Sequence, residues 1–474
     1  MSDALAVTLL GGDLTAAAAA LRSGRISSVA LTRAAIERAQ QVQARCRAFL
    51  EIEVEPALAA AERADVALDA ARRSGREPES ELLGIPLAHK DMFDRAGRVL
   101  RYGSRVLDDH RPHDCATVIA RLEQAGAVTL GSLHMAEFAL GATGHNAAFG
   151  DAANAWDPAY IAGGSSSGSG VAVAGGAVFG SFGSDTGGSV RIPASVNGVF
   201  GLKPTYGLIP RTGSLKLAPS IDVIGPVARS ARDLAVLLAA VAGGDGRDAL
   251  ASRRSVPDYL RGLDHGIAGV RIGIPTTYFL EGLDADVEAA LGQIRREWRE
   301  AGAVEVPVAI PLVETFAELS RAVVYSEATA LHANWLRSRP ERYTPQVRLR
   351  ASTGLGIPAP VYLEALQWRP VLLERVVREV FGRCDVLLTP TLPITVPRRE
   401  DTDVGAGESL WAILSQLVRC TAPLNYLGLP ALSLPIGRDR RGLPIGAQLV
   451  GRPFAEARLL QIAALPLTSV SAQA

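Results

Sequence analysis

Residues 163–193 read GGSSSGSGVAVAGGAVFGSFGSDTGGSVRIP and lie in a stretch of the chain with few charges. Between residues 151 and 200, Gly and Ser supply 19 of the 50 residues, and only four side chains are charged. A flexible linker has this Gly and Ser content, but the apolar run at 170–179 requires burial. The stretch therefore predicts a buried core with tight turns, which is typical of an active site.

The sequence before this stretch alternates between strand and helix patterns. Residues 84–94 begin as a short apolar strand, 118–124 have the pattern of a helix, and 126–131 that of a strand. Strand–helix–strand order is typical of α/β folds, so we expect that class. Further short strands are expected at 270–274, 304–306, 386–388, 427–435 and 447–450.

The composition excludes several classes of protein. The chain has 474 residues, 48% of them hydrophobic and 21% charged, which is globular and not disordered. Its 49 basic and 49 acidic side chains balance, which argues against nucleic acid and anionic membranes as main partners. The N-terminus lacks the pattern of a signal peptide, and the four Cys are widely spaced. These features favour a cytoplasmic enzyme.

A search for catalytic motifs finds two serine nucleophile candidates and no metal or cofactor site. Gly164-Ser-Ser-Ser-Gly168 matches the GxSxG pattern around Ser166, but that pattern needs a later acid and His, and neither His265 nor His332 has a suitable setting. The better candidate is Ser189, because the preceding Gly187 and Gly188 leave backbone N–H groups open to an oxyanion.

The base that activates Ser189 must be a group other than His. Of the 49 cations, only Lys90, Lys203 and Lys216 are lysines. Arg cannot lose its proton in a protein, whereas a buried Lys can. Lys90 follows an apolar strand, so desolvation is expected to supply a neutral amine there, and Ser–Lys pairs are a known variant of the catalytic triad.

The chain resembles the amidase signature family nearly from end to end. The segments that carry the resemblance are 84–91 (GIPLAHKD), 131–141 (GSLHMAEFALG), 156–158 (WDP), 163–169 (GGSSSGS), 183–193 (GSDTGGSVRIP), 201–207 (GLKPTYG), 221–226 (IDVIGP) and 425–435 (NYLGLPALSLP). The spacings also match, with 75 residues from Lys90 to Ser165 and 24 from Ser165 to Ser189.

The resemblance implies the fold and its organisation. It implies an amidase signature fold, an α/β structure with a central mixed β-sheet covered on both faces by helices. The whole chain, 1–474, is expected to form a single amidase domain. Its expected parts are an N-terminal helical region (1–80), a catalytic core (82–226), a more variable region (227–384) and a C-terminal part that returns to the core sheet (385–474).

The resemblance also implies the catalytic residues. Ser189 would be the acylated nucleophile, Ser165 the proton relay after a cis Gly164–Ser165 peptide, and Lys90 the base. The oxyanion hole would use backbone N–H groups from Thr186 through Ser189, including those of Gly187 and Gly188. The substrate pocket would include Leu140 and Gly141, with no metal and no cofactor.

The expected activity is hydrolysis of a carboxamide C–N bond through an acyl-enzyme, which releases a carboxylate and ammonia or an amine. The alternative is the A subunit of a tRNA-dependent amidotransferase, which supplies ammonia from glutamine. The segment 212–222 looks more like that of stand-alone amidases. We therefore expect a small-molecule amide as the partner, with no nucleic acid and no membrane, and a homodimer is a possible assembly. The sequence leaves open whether His134, Arg369 and Trp411 contribute to the substrate pocket or have only structural roles.

Overall fold

A mixed β-sheet of eleven strands runs through the computed structural model, which describes residues 2–467. The predicted domain bounds at Met1 and within 468–474 therefore lie outside the described residues. In chain order the strands are β1 (Phe49–Ile52), β2 (Pro86–Lys90), β3 (Val128–Leu133), β4 (Gly180–Asp185), β5 (Phe200–Lys203), β6 (Val223–Ala228), β7 (Arg271–Pro275), β8 (Val304–Val308), β9 (Val386–Pro390), β10 (Ala431–Arg438) and β11 (Pro444–Gly451). Across the sheet they follow the order β1-β3-β2-β4-β6-β5-β10-β11-β9-β7-β8.

Helices flank this sheet, so the expected α/β class with a central mixed sheet is confirmed. The α-helices of the described chain are α1 (Ser2–Leu10), α2 (Leu14–Arg22), α3 (Ser28–Cys46), α4 (Val54–Ser74), α5 (Thr117–Gln124), α6 (Ser167–Ala174), α7 (Arg191–Asn197), α8 (Ala231–Val241), α9 (Ala285–Glu300), α10 (Val313–Ser338), α11 (Pro345–Ser352), α12 (Ala359–Glu379), α13 (Arg399–Thr402), α14 (Leu410–Val418), α15 (Ala422–Leu427) and α16 (Glu456–Ala463). None of the helices in residues 2–467 is long and apolar enough to cross a membrane.

The strand directions decide where polar side chains can meet. Strand β2 is parallel to both β3 and β4, whereas β4 is antiparallel to β6. The carboxyl ends of β2 and β4 therefore lie at the same edge of the sheet, together with the amino end of β6. Lys90 is the last residue of β2 and Asp185 the last of β4. This edge holds the candidate site.

Two elements differ from the sequence patterns. The four-residue strand β1 lies within the part where we expected only helices, and it pairs antiparallel with β3. The strand expected from residue 427 begins later, because α15 extends to Leu427 and Gly428 closes that helix with a φ of 70°. A left-handed Gly is a common helix terminator, and the apolar residues around it gave no sign of the boundary.

Candidate active site

Lys90 is buried at the end of β2, and its amine contacts two serine hydroxyls. Its Nζ hydrogen-bonds to Ser165 Oγ at 2.7 Å and to Ser184 Oγ at 3.0 Å. Burial lowers the pKa of Lys90 to about 7, while the negative charges of Asp222 and Asp185 act in the opposite direction. A substantial fraction of this amine is therefore neutral near pH 7 and able to accept a proton.

Ser165 lies in the turn that leads into α6, and it is fully buried. The peptide between Gly164 and Ser165 is cis, as the resemblance implies. A Cβ on Gly164 would lie 2.8 Å from the Gly141 carbonyl oxygen, so only glycine fits this close approach. The Ser165 carbonyl in turn accepts a hydrogen bond from the Ala136 N–H at 3.1 Å. The turn thus holds the Ser165 hydroxyl against the Lys90 amine.

The loop that carries Ser189 is wound around the carboxylate of Asp185. One carboxylate oxygen accepts the Gly188 N–H at 2.8 Å, and the other accepts the Val190 N–H at 3.2 Å. Arg191 forms a buried ion pair with the same carboxylate at 2.9 Å. Burial alone would raise the pKa of Asp185, but the Arg191 charge and hydrogen bonds outweigh it and hold the pKa far below its usual range. This carboxylate is therefore a fixed anchor, not an acid catalyst.

The expected oxyanion hole is only partly free. The Gly188 N–H is engaged by Asp185, so it is not available to a substrate. Within the described chain the N–H groups of Thr186, Gly187 and Ser189 have no hydrogen-bond acceptor. The Ser189 hydroxyl likewise has no hydrogen-bond partner there. Three amides and one hydroxyl thus remain open at the same loop.

The C-terminal part of the chain fixes this loop from the other side. Arg191 donates to the Gln448 side chain at 2.8 Å and to the Asn425 side-chain oxygen. Asn425 donates at 2.8 Å to both the carbonyl and the carboxylate of Asp185. Thr421 donates to the Gly187 carbonyl at 2.6 Å. Residues about 230 positions later in the sequence therefore set the shape of the loop.

A cavity of about 90 Å³ opens beside Ser189. Its lining residues are Ala139, Leu140, Gly141, Ala142, Thr186, Gly187, Ser189, Ile192, Leu217, Ser320, Arg321, Val324, Tyr325, Arg350, Val418 and Ala422. The lining brings together five of the eight residues expected for the site. Lys90, Ser165 and Gly188 are outside the lining, and the first two are buried. A larger cleft of about 430 Å³ contains none of the expected residues.

Arg350 in α11 is a pocket residue that the sequence patterns missed. Its side chain is 8% exposed, and its Nε and Nη1 have no hydrogen-bond partner in the described chain. Its Nη2 lies 3.5 Å from the Tyr325 hydroxyl. No local motif marks Arg350, because α10 and α11 reach the pocket only through the tertiary fold. A buried guanidinium without an acidic partner is able to bind an anionic group of a ligand.

Arg369, Trp411 and His134, whose roles the sequence leaves open, lie in different parts of the structure. Arg369 donates to the Ser220 carbonyl and lies over the Tyr206 ring at 4.7 Å, outside the cavity lining. Trp411 packs edge-to-face on the pocket residue Tyr325, with ring centroids 5.5 Å apart. His134 is buried, and burial lowers its pKa to about 4, with its Nε2 on the Gly150 carbonyl. None of the three lines the cavity.

The chain is similar to known proteins over most of its length. The family model described as Amidase matches residues 30–460. The A subunit of glutamyl-tRNA(Gln) amidotransferase from Myxococcus xanthus (strain DK1622) is 38% identical over 471 residues, which cover 94% of each chain. A similar solved structure is described as a vestigial protein complex that reveals the evolutionary origins of an s-triazine catabolic enzyme. Its TM-score is 0.88 and its sequence identity is 32%, and the match covers 96% of this chain and 97% of that chain. The A subunit of glutamyl-tRNA(Gln) amidotransferase from Thermotoga maritima has a TM-score of 0.77 and 29% identity, covering 92% of this chain and 90% of that chain.

These relatives correct the expectation about partners. The sequence predicts a small-molecule amide and no nucleic acid as partners. The names of the relatives specify one subunit of a larger enzyme and a tRNA, so that expectation is wrong. Its basis was the zero net charge of the chain. Net charge describes one chain by itself, and one subunit can leave most nucleic-acid contacts to its partner subunits.

The family match extends over the parts of the chain that build the site. Residues 30–460 include the buried Lys90, the Ser189 loop and the C-terminal residues that anchor this loop. The chain belongs to the amidase signature family, whose enzymes hydrolyse carbon–nitrogen bonds other than peptide bonds.

Proposed function

We propose that this chain is the ammonia-releasing A subunit of a tRNA-dependent amidotransferase, which cleaves the carboxamide of glutamine through an acyl-enzyme on Ser189. The observation that carries the chemistry is the 2.7 Å contact between the buried Lys90 amine and the Ser165 hydroxyl. The relative named as the A subunit of glutamyl-tRNA(Gln) amidotransferase, matched along 94% of the chain, supports the biological role. Such an enzyme works in the cytoplasm, where aminoacylated tRNA is found.

In this mechanism neutral Lys90 accepts a proton from Ser165, and Ser165 accepts one from Ser189 as the Ser189 oxygen attacks the amide carbon. The free N–H groups of the loop stabilise the negative charge on the former carbonyl oxygen. When the C–N bond breaks, the proton returns through Ser165 to the leaving nitrogen, which departs as ammonia. Water then attacks the acyl-enzyme by the same relay and releases the carboxylate.

Arg350 supplies the contact that positions the donor amide. Glutamine carries a carboxylate, and the Arg350 guanidinium presents two unpartnered donor atoms at the cavity. A hydrogen-bonded pair of a guanidinium and a carboxylate contributes more than a neutral hydrogen bond, roughly 1.5–3 kcal/mol. This contact holds the carboxamide beside the Ser189 hydroxyl.

A second candidate is an amide hydrolase whose substrate carries an anionic group but no ammonium group. The observation that favours it is the chemistry of the lining, which holds two Arg and no Asp or Glu among the described residues. A lining without a carboxylate offers no ion pair to the α-ammonium of an amino acid.

Glutamine and glutaramate distinguish the two candidates, because they differ only in the α-ammonium group. Ammonia release is measured for both, with and without the other amidotransferase subunits and glutamyl-tRNA(Gln). The proposed function predicts that glutamine is cleaved and that the partners and tRNA stimulate the reaction. Faster cleavage of glutaramate, with no response to partners or tRNA, would contradict the proposed role in an amidotransferase and support the second candidate.

Arg350→Met tests the donor contact. We expect KM for glutamine to rise roughly 10- to 100-fold, with a smaller change in kcat, because a uniform binding contact is lost. Arg321→Met is the matched control, since Arg321 also lines the cavity but is exposed and lies 3.7 Å from Glu318. An equal rise in KM for both variants would argue against a specific role of Arg350.

A further inference from the structure

Asp222 is a buried carboxylate that bonds directly to the oxyanion-hole loop. It is 3% exposed. One carboxylate oxygen accepts the Thr186 hydroxyl at 2.6 Å, and the other accepts the Ala218 N–H at 2.9 Å. The sheet explains this contact, because the register between β4 and β6 pairs Asp185 with Val223. The residue after β4 and the residue before β6 are thereby brought side by side.

Asp222 differs from Asp185, the buried acid at the end of the neighbouring strand β4, in having no ion-pair partner among the described residues. Asp185 pairs with Arg191 at 2.9 Å, and Asp248 pairs with Arg211 at 3.2 Å. Within residues 2–467, Asp222 forms no salt bridge. A buried carboxylate without an ion pair is costly, so its retention points to a use for the charge.

The Lys90 amine is the group that this charge influences. Of the groups that counteract the effect of burial on the pKa of Lys90, Asp222 is the strongest, followed by Asp185. The charge of Asp185 is already balanced by Arg191 in direct contact. The charge of Asp222 is therefore the one left to stabilise a protonated Lys90 when the nucleophile loses its proton.

We propose that Asp222 is a positioning residue of the amide-cleaving site, which orients the oxyanion-hole loop through the Thr186 hydroxyl and stabilises the protonated form of Lys90. This inference rests on the proposed function, because it assumes that Ser189 is the nucleophile and Lys90 the base. It adds a fourth side chain to the three that the family resemblance implies.

Several other charged groups lie around Asp222 and Lys90. Asp185 is flanked by Arg191 and Lys203, while Arg211 and Glu327 act on Asp222 with opposite signs. Lys90 itself lies between His89 and Asp91 on the chain, both buried. Burial raises the pKa of Asp222 to about 6, so its carboxylate is mostly ionised where Lys90, with a pKa of about 7, loses its proton.

The pH dependence of Ser189 labelling by a fluorophosphonate tests this inference without any knowledge of the substrate. The rate constant for labelling is measured from pH 5 to pH 9 in the full-length protein. Asp222→Asn removes the charge but keeps an oxygen that accepts from Thr186. Thr186→Val removes the hydroxyl but keeps the Asp222 charge. Asp233→Asn is the matched control, because Asp233 is also a buried acid but caps the start of α2 instead.

We expect Asp222→Asn to move the rise in labelling rate to lower pH by about one unit, because an opposite charge that favours protonated Lys90 is lost. Thr186→Val is expected to lower the plateau rate severalfold while the rise stays at the wild-type pH. Asp233→Asn is expected to change the melting temperature and leave the labelling profile as in the wild type.

The inference is overturned if the rise for Asp222→Asn stays at the wild-type pH, whatever its plateau, because a merely structural acid would lower the rate without moving the titration. An unchanged plateau in Thr186→Val would overturn the positioning of the loop. A wild-type protein that is not labelled at any pH would instead contradict the proposed function, and the inference with it.

Discussion

At the residue scale, the proposed chemistry requires Lys and not Arg at position 90, because only Lys can become neutral and act as a base. Only three of the 49 cations are Lys, and Lys90 and Lys203 are both buried. Burial lowers the pKa of each to about 7, but Lys203 Nζ donates to the Pro204 carbonyl and contacts neither Ser165 nor Ser184. A lowered pKa alone therefore does not identify the base. The contact between Lys90 and Ser165 is what supports Lys90 as the proposed base.

If Lys90 is the base, its protonation sets how kcat/KM depends on pH on the acid side of the profile. Protonated Lys90 cannot accept the serine proton, so kcat/KM is expected to rise with pH through one limb near pH 7 and to level off above it. Lys90→Arg is expected to lose at least about 100-fold in kcat/KM at every pH, because Arg stays charged. Steady-state ammonia release across pH measures both.

Lys203→Met is the control for this experiment. It removes the second buried Lys of lowered pKa and is expected to reduce stability while the limb stays near pH 7. If the limb instead disappears in Lys203→Met and persists in Lys90→Arg, the base has been assigned to the wrong lysine.

The proposed catalytic residues stand out in the sequence because short local motifs contain them. Ser189 stands after two glycines, and Lys90 ends an apolar strand, so each carries its signal within about ten residues. Arg350 has no such signal, because it enters the pocket from α11, which the tertiary fold alone brings there. The engagement of the Gly188 N–H by Asp185 likewise depends on the exact path of the loop.

At the scale of elements, the buried side chain of Arg191 joins the Ser189 loop to a helix and a strand of the C-terminal part. Arg191 lies at the start of α7, and its guanidinium contacts Asp185, Asn425 and Gln448. Strand β11 supplies Gln448, and α15 supplies Asn425. The sequence patterns predict a strand at 447–450, within β11, but neither α7 nor α15, and the pairing between residues more than 230 positions apart comes from the sheet order.

Arg191→Met is expected to destabilise the fold by roughly 3–5 kcal/mol, because it leaves the Asp185 carboxylate buried without its partner. Denaturant unfolding measures this change. Arg440→Met is the control, since the Arg440 side chain in its ion pair with Asp286 is 72% exposed, and surface ion pairs contribute little to stability. A loss for Arg191→Met no larger than that of the control would contradict the anchoring role.

At the scale of the whole molecule, the α/β class could be predicted from strand–helix alternation, but the order of the eleven strands could not. Neighbours such as β5 and β10 are separated by more than 200 residues, and no local pattern encodes their contact. The same limit applies to partners. Balanced charge in one chain describes neither the surfaces of other subunits nor what they bind, which is why the comparisons corrected that expectation.

We propose above that Ser189 carries the acyl group. The most direct measurement is mass spectrometry of the fluorophosphonate-treated protein, with ammonia release followed in parallel. The wild type is expected to carry one adduct, on the peptide that contains Ser189, and Ser189→Ala is expected to carry none and to release no ammonia. Ser167→Ala, which removes a buried hydroxyl without a hydrogen-bond partner in the described chain, is expected to behave as the wild type. An adduct or ammonia release that persists in Ser189→Ala would contradict the account.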